Sequence, residues 1–179
     1  MIETDRLILR NWRPSDHDAW AALNADPEVM EHFPATLDRI ESDAMAATHR
    51  ALIEKQGWGL WAVERREDGA FLGFTGLKEI PSAIPFAPAV EVAWRLGRAA
   101  WGHGYASEAA TAAMTDGFER LQLPRIVSFT ATVNVRSQAV MRRIGMIRRE
   151  DLDFDHPVLP EGHRLRRHVV YVAEAQGWT

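Results

Sequence analysis

The sequence of 179 residues contains no cysteine. Disulfides, thiolate zinc sites and cysteine nucleophiles are therefore excluded together, and any catalysis has to use other groups. The longest segment without a charged residue is the eleven residues 80–90, which carry three prolines, so no membrane span is predicted. The first residues contain neither a basic nor an apolar stretch, and we expect no signal peptide and a cytoplasmic location.

The chain also lacks a strong excess of charge of either sign. Lysine and arginine number 21 against 25 aspartate and glutamate, which gives a formal net charge of −4. Nucleic acid is therefore not expected as a partner, and the arginines between Arg142 and Arg149 are interpreted as a solvated surface. Repeats, low-complexity runs and shifts in composition are absent, which predicts one domain over residues 1–179.

Hydrophobic periodicity predicts alternating strands and helices. Strands are predicted at residues 6–11, 58–66, 70–80, 89–96, 125–132, 147–154 and 168–173. Helical spacing predicts four helices, at a point after Ser15, over 36–56, over 105–121, and before Gly145. Hairpins followed by a strand-helix-strand-helix unit indicate a mixed α/β or α+β sheet.

Two of the helices carry candidate start signals. Ser15 followed by Asp18 is typical of a capping box, and Thr36 is the predicted cap of the second helix. Gly57 is suited to the left-handed end of that second helix. Its core-facing stripe is predicted to consist of Leu37, Ile40, Ala44, Ala47 and Ala51.

A glycine-containing loop precedes the third helix. Gly102 and Gly104 permit positive φ and a close approach of the backbone, and the first amides of the following helix are unpaired donors. An anion fits there, held by the backbone rather than by Lys or Arg. A dinucleotide fingerprint is excluded because its third glycine is Ser107, and a P-loop is excluded because G-K-[ST] is missing. A plain tight turn remains the alternative for this loop.

Several short motifs in one order are more specific than a glycine pair. They are residues 4–10 (Thr-Asp-Arg-Leu-Ile-Leu-Arg), Leu72-Gly73-Phe74 with Gly76-Leu77, the strand from Glu91, residues 101–109 (Trp-Gly-His-Gly-Tyr-Ala-Ser-Glu-Ala), Asn134 with Ser137, and Ile144-Gly145-Met146. Together they resemble the GNAT superfamily of acetyl-CoA-dependent N-acetyltransferases, in particular its RimJ/RimL type. The resemblance implies a mixed, mostly antiparallel twisted sheet of about seven strands, with about four helices packed on both faces.

The resemblance also implies acetyl-CoA as cosubstrate. Its pyrophosphate is expected on the loop amides and its pantetheine on the strand edge that contains Trp94 and Leu96. The implied cofactor-binding residues are Trp94, Arg95, Leu96, Gly102, His103, Gly104, Tyr105, Ala106, Ser107 and Asn134. The family loop often begins with Gln or Arg three residues before its first glycine, where this sequence has Ala99, so side-chain help is missing there.

Two residues are candidates for proton transfer. An amine attacks a thioester only when neutral, and Glu91 is the candidate base, directly or through water; the alternative is an exposed or salt-bridged strand residue. A backbone amide near Trp94 is expected to stabilise the oxyanion. Many relatives use a Tyr seven residues after the Asn to protonate the thiolate, but that position is Met141. The acid is then Ser137 or a bound water, with a helix N-cap as the alternative role for Ser137.

The acceptor side is less determined. The long restrained loop 155–163 is a candidate for acceptor binding through His156 and His163, against an ordinary surface connection, and no metal site is predicted. The predicted function is direct acetyl transfer to a primary amine, either a protein N-terminus or a small amine. The alternatives are a non-catalytic acyl-CoA-binding module and a drug or polyamine acetyltransferase. We expect a monomer or homodimer that contacts neither nucleic acid nor membrane.

Overall fold

The computed structural model describes residues 1–178 and shows one nine-stranded sheet with four α-helices. The strands are β1 (Ile2–Glu3), β2 (Leu7–Arg10), β3 (Leu60–Arg65), β4 (Phe71–Glu79), β5 (Val90–Leu96), β6 (Arg125–Ala131), β7 (Ile147–Arg148), β8 (Phe154–Asp155) and β9 (Arg167–Glu174). The helices are α1 (His17–Ala25), α2 (Arg39–Gln56), α3 (Tyr105–Glu119) and α4 (Val135–Arg143). The last residue of the predicted domain, Thr179, lies outside the described residues.

The sheet has the order β1-β2-β3-β4-β5-β6-β9-β7, with β8 also on β9. All of its pairs are antiparallel except β5 with β6, which are parallel. The predicted mixed sheet with four helices is therefore confirmed, but its strand count is two too low. The two-residue β1 was not predicted, and the strand predicted over 147–154 is split into β7 and β8 by a 3₁₀ turn at Glu150–Leu152.

The helices cover both faces of the sheet. On one face, Trp20 of α1 and Ala46 of α2 pack with Phe74 of β4. On the other face, Met114 of α3 and Met141 of α4 pack against Val92 of β5. None of the helices in residues 1–178 has both the length and the apolar character that crossing a bilayer requires.

The two predicted helix starts are wrong. Residues Pro14–Asp16 form a 3₁₀ turn, and the cap position of α1 is Asp16, whose carboxylate binds the guanidinium of Arg10. The α2 helix is capped by Asp38 rather than Thr36, through a reciprocal capping box with Glu41. Gly57 ends α2 with a φ of 78°, as predicted.

The predicted core stripe of α2 is also wrong. Ile40 is 79% exposed, and the buried residues are Ser42 and Ala46. The reason lies in α1, where Trp20 Nε1 donates to the backbone oxygen of Ser42 at 3.0 Å and Asn24 Nδ2 donates to its hydroxyl at 3.1 Å. A buried polar group with partners on α1 therefore sets which face of α2 turns inward.

The centre of the sheet contains a split. Strands β5 and β6 pair only at Glu91 and Val127, and they diverge beyond that point. Ser128 adds one link, because its hydroxyl donates to the backbone oxygen of Val92 at 3.0 Å. The divergence leaves the second half of β5 without a neighbouring strand on one side.

Candidate active site

A cleft of about 1010 Å³ opens where β5 and β6 diverge. Its walls come from β5, β6, the N-terminal end of α3, one face of α4, the segment 28–34 after α1, and the segment 156–168. Its volume lies at the upper end of the range typical of small-molecule sites. The cleft therefore has room for a cofactor and a second substrate together.

The strand β5 turns unpaired backbone groups into this cleft. Ile80 N donates to Ala89 O at 3.0 Å and Gly97 N donates to Leu72 O at 2.9 Å, so the odd-numbered residues between them point their backbone at β4. The even-numbered residues point the other way. Val92 O accepts from Ser128, and Leu96 O accepts from Trp101 Nε1 at 2.8 Å. The backbone of Trp94 remains available to an extended ligand.

The loop before α3 presents a second set of free donors. Gly102 and Gly104 have φ values of 79° and 80°, and the first bond of the helix runs from Glu108 N to Gly104 O at 3.0 Å. The amides of residues 105–107 are thus unpaired at the positive end of a fifteen-residue helix. This arrangement fits a pyrophosphate.

The N-terminal motif fixes the position of this loop. Arg6 Nη1 donates to His103 O at 3.0 Å, and Arg6 Nε donates to Glu108 Oε2 at 2.7 Å. Thr4 adds a hydroxyl bond to Glu108 Oε1 at 2.6 Å. Residues about a hundred positions apart therefore hold the loop against the start of the chain.

Two cations lie near the loop, and one of them, Arg143, belongs to the arginines that were interpreted from the sequence as a solvated surface. Arg143 Nη1 donates to the hydroxyl of Ser107 at 3.2 Å, and the guanidinium of Arg136 lies 4.6 Å from the ring of Trp101. Both arginines line the cleft. Binding of the anion by the loop backbone stays a prediction, and the signal for these two cations was the spacing of basic residues along the last predicted helix.

Glu91 lines the cleft and is buried, with 5% of its surface exposed. Lys78 lies opposite it on β4, with 3.1 Å between Nζ and Oε2, but the contact lacks hydrogen-bond geometry and Oε2 has no other partner among residues 1–178. Burial raises the pKa of Glu91, and the positive charge of Lys78 opposes that shift. Glu91 therefore has the salt bridge that was considered as its alternative role, and it also has the burial and the place in the cleft that a base requires.

Asn134 and Ser137 line the cleft from the side of α4. Asn134 Oδ1 accepts from Ser137 N at 3.1 Å, so Asn134 is the N-cap and the cap role considered for Ser137 is wrong. Asn134 Nδ2 donates to Ser137 Oγ at 3.1 Å and to Thr130 Oγ1 at 3.0 Å. Met141, where many relatives have tyrosine, is buried and lines the same wall.

The late loop brings one of its two predicted histidines into the cleft. His156 lines the wall, its Nδ1 is buried without a partner in the described chain, and burial lowers its pKa. His163 is not among the lining residues, and its Nδ1 accepts from Leu165 N at 3.1 Å. His168, which was not predicted, lies beside His156 with ring centroids 5.0 Å apart.

Arg95 is not placed at the cofactor edge. Its backbone faces β4, and its side chain lies on the α1 face, where Nη1 donates to Asn24 Oδ1 at 2.6 Å. It still lines the cleft, from the side away from the α3 loop. Burial lowers the pKa of Arg95 to about 10, which keeps the group cationic at neutral pH.

The remaining predicted cofactor residues surround one space. Trp94 and Leu96 lie on β5, Asn134 on the opposite wall, and residues 102–107 between them, and all of these line the cleft. Histidine, aspartate and glutamate side chains form no group suited to a metal ion within residues 1–178.

The chain matches the family model described as acetyltransferase (GNAT) domain over residues 6–147. It is 30% identical over 146 residues to the uncharacterized protein YkkB of Bacillus subtilis, an alignment that covers 81% of this chain and 84% of YkkB. A GNAT-family acetyltransferase from Bacillus anthracis has a similar structure, with a TM-score of 0.81, 22% identity, and coverage of 97% of this chain and 98% of that one.

Two structures with coenzyme A share the fold. RimL, a ribosomal L7/L12 alpha-N-protein acetyltransferase, has a TM-score of 0.75 at 18% identity and covers 96% of this chain and 95% of its own. Spermidine N-acetyltransferase from Vibrio cholerae, in complex with CoA and spermine, has a TM-score of 0.75 at 17% identity. The match covers 98% of this chain and 99% of that one. The family match spans well over half of the sequence, so the chain belongs to the GNAT family and is an acetyl-CoA-dependent acetyltransferase.

Proposed function

We propose that the protein transfers the acetyl group of acetyl-CoA directly to a primary amine, either a protein N-terminal α-amine or a small amine. The observation that carries this proposal is the free backbone of Trp94 in the split between β5 and β6, beside the free amides of residues 105–107. The first holds an extended chain such as pantetheine, and the second holds the pyrophosphate.

When bound, acetyl-CoA supplies an acetyl group activated as a thioester. Glu91 accepts the proton of the attacking amine, directly or through a water. An α-amino group titrates near pH 8, so a carboxylate whose pKa is raised by burial is better matched to it than an exposed one. Its Oε2, which contacts only Lys78 within residues 1–178 and accepts no hydrogen bond there, supports this role.

The backbone N–H of Trp94 stabilises the oxyanion that forms during attack. A fixed amide donor of this kind is typically worth about 3 kcal/mol of barrier. The position of this amide follows from the pairing of β5 with β4, because only the even-numbered residues of β5 point their backbone N–H and C=O groups away from β4.

Ser137 donates a proton to the leaving thiolate. Its Oγ accepts a hydrogen bond from Asn134 Nδ2, which leaves its own hydrogen free to point into the cleft. Met141 supplies no phenol at the alternative position. Since the sequence has no cysteine, an acetyl-cysteine intermediate is excluded and direct attack remains.

The identity of the amine that accepts the acetyl group is a separate part of the proposal. The motifs at residues 4–10 and 101–109 support the RimJ/RimL branch and hence a protein α-amine. His156 supports binding of the acceptor, because its unpaired Nδ1 lies in the cleft wall next to His168. A cytoplasmic location, one domain over the chain and a monomer or homodimer stay predictions.

The function is tested by calorimetry with acetyl-CoA, followed by release of free thiol across a panel of amines and N-terminal peptides. We expect acetyl-CoA to bind and at least one amine to accept the acetyl group. The variant Gly104→Trp should abolish binding. Gly104 has a φ of 80°, which a residue with a side chain rarely adopts, and the indole would occupy space beside the free amides. Absence of binding by the unmodified protein, or full binding by this variant, would contradict the cofactor assignment.

A further inference from the structure

Arg95 is a buried cation without a carboxylate. It is 8% exposed, its bond from Nη1 to Asn24 is its only side-chain hydrogen bond within residues 1–178, and its Nε is buried without any partner. The rings of Phe33, Trp20 and Phe74 lie 3.9, 5.3 and 5.6 Å from its guanidinium carbon. Buried charges in proteins are normally paired, so this group stands out.

The chain contains a matched comparison in Arg10. Arg10 is 5% exposed, and its guanidinium binds both oxygens of Asp16 at 2.8 Å and one oxygen of Glu64 at 2.6 Å. Both arginines are equally removed from water, but only Arg10 has its charge neutralised by the protein. Within residues 1–178 Arg95 thus lacks a carboxylate partner, and an anionic ligand would supply one.

The position of Arg95 indicates what brings that charge. Alternation along β5 places Glu91, Ala93 and Arg95 on the same face of the sheet, and all three line the cleft. Glu91 and Arg95 are four positions apart on the strand, which corresponds to about 13 Å between their Cα atoms. The small side chain of Ala93 leaves the space between them open.

We propose that Arg95 binds a carboxylate of the acceptor, so that the acetyl group goes to an amine that carries a carboxylate several bonds away. This inference rests on the proposed function, because it places the reacting amine at Glu91. The chemistry is that of an ω-amino carboxylic acid, or of a peptide N-terminus followed closely by an acidic residue. A planar guanidinium matches a carboxylate in a two-bond geometry.

The cofactor does not supply this charge. The phosphates are proposed to lie at the free amides before α3, whereas the side chain of Arg95 points to the α1 face. The nearby acidic side chains do not supply it either, since Glu28 binds Arg98 at 2.7 Å and Glu31 is not among the residues that line the cleft. An anionic acceptor is therefore the group that completes the pair.

The experiment compares acceptors that differ only in charge. One arm uses free ω-amino carboxylic acids of increasing length, each with its carboxamide; the other uses short peptides with Asp or Asn after the N-terminal residue. The variants are Arg95→Met, which keeps the apolar stem, and Arg95→Lys, which keeps the charge. Arg125→Met is the matched control, because Arg125 is an exposed arginine paired with Glu174 away from the cleft.

We expect the unmodified enzyme to prefer the carboxylate over its carboxamide at least tenfold in kcat/KM, in one arm or the other. Arg95→Met should reduce that preference to less than twofold, because KM should rise much more for the carboxylate than for the carboxamide. Arg95→Lys should retain part of the preference, and Arg125→Met all of it. If Arg95 had a purely structural role, Arg95→Met would lower kcat/KM equally for the carboxylate and for the carboxamide.

Two results overturn the inference. One is equal use of carboxylate and carboxamide in both arms, and the other is an unchanged preference in Arg95→Met. If acetyl-CoA binds and only uncharged or polycationic amines are acetylated, the inference fails while the proposed function stands. If acetyl-CoA does not bind to the unmodified protein, the proposed function itself fails, and the inference fails with it.

Discussion

Lys78 Nζ lies 3.1 Å from Glu91 Oε2, directly across strands β4 and β5. Glu91 is buried, whereas the side chain of Lys78 is 43% exposed. The carboxylate therefore carries a counter-ion that water screens, and its pKa stays raised because burial outweighs the charge of Lys78. Lys78 thus favours the ionised form of the carboxylate, while burial favours the protonated form.

The first prediction concerns the base. Glu91→Gln should lower kcat/KM by about a hundredfold, in the range that general base catalysis contributes, without changing the affinity for acetyl-CoA. Steady-state kinetics and calorimetry measure the two effects. Glu79→Gln on the same strand as Lys78 is the control, because Glu79 is exposed and outside the cleft. Unchanged kcat/KM in Glu91→Gln would remove Glu91 as base.

The second prediction concerns the pH dependence of the rate. Lys78 lowers the pKa of Glu91, so Lys78→Met should let that pKa rise further. A base acts only when deprotonated, and the acid limb of kcat/KM should therefore move to higher pH in this variant. The measurement is a pH profile with one amine acceptor. A limb that stays in place would mean that a different group titrates.

The third prediction separates chemistry from capping at α4. Ser137→Ala retains the cap, because the donor to Asn134 Oδ1 is the backbone N of residue 137. It should lower kcat about tenfold, the loss expected for a modest proton donor, with an unchanged melting temperature. Asn134→Ala should instead cost about 1 kcal/mol of unfolding free energy through the lost cap. Full activity of Ser137→Ala would mean that a water, and not Ser137, donates the proton to the leaving thiolate.

The fourth prediction concerns the cofactor loop. A Cβ at Gly102 meets no atom within 4 Å, but the φ of 79° strains any other residue by about 1 to 2 kcal/mol. Gly102→Ala should distort the loop and weaken acetyl-CoA binding at least fivefold. Gly69→Ala is a matched control with a φ of 72°, equally open space and a place in the β3–β4 hairpin. Equal acetyl-CoA affinity of both variants would contradict a role for the loop.

The fifth prediction concerns stability in acid. Burial lowers the pKa of His49 from 6.5 to about 4, beside the rings of Trp12 and Phe74. The unfolded chain therefore binds the proton more tightly than the folded one. Above pH 6.5 the neutral histidine costs nothing, but as the pH falls toward 4 the free energy of unfolding decreases by about 3 kcal/mol for this group. His49→Phe should flatten that decline in urea unfolding measured at several pH values. An equally steep decline would assign it to the other buried histidines.

Local signals in the sequence predicted the elements that carry the cofactor loop. The spacing of Val140, Met141 and Ile144, and the glycines at 57 and 145, mark helix faces and ends through backbone geometry that depends on few neighbours. The hydrophobic stripe of α2 was misread because alanines lie on several of its faces. Only the partners of Ser42 on α1 decide which face is inside.

The acceptor side depended on contacts between distant residues. Lys78 becomes visible only through its register with Glu91, and Arg95 is separated by 71 positions from Asn24. His156 and His163 lie in the same loop and have similar neighbours in sequence. In the structure His156 lines the cleft, whereas His163 does not and its Nδ1 accepts from Leu165 N. Such distinctions arise from packing, which a linear pattern does not contain.

The split between β5 and β6 places an open strand edge in the interior of a sheet. An open edge at the rim invites pairing with any passing chain and leads to aggregation. Here the open edge faces a cleft that is lined by the start of α3, one face of α4 and the segment 156–168. The same hydrogen-bonding groups that would be a hazard at the rim are thus enclosed, and only a chain that enters the cleft can pair with them.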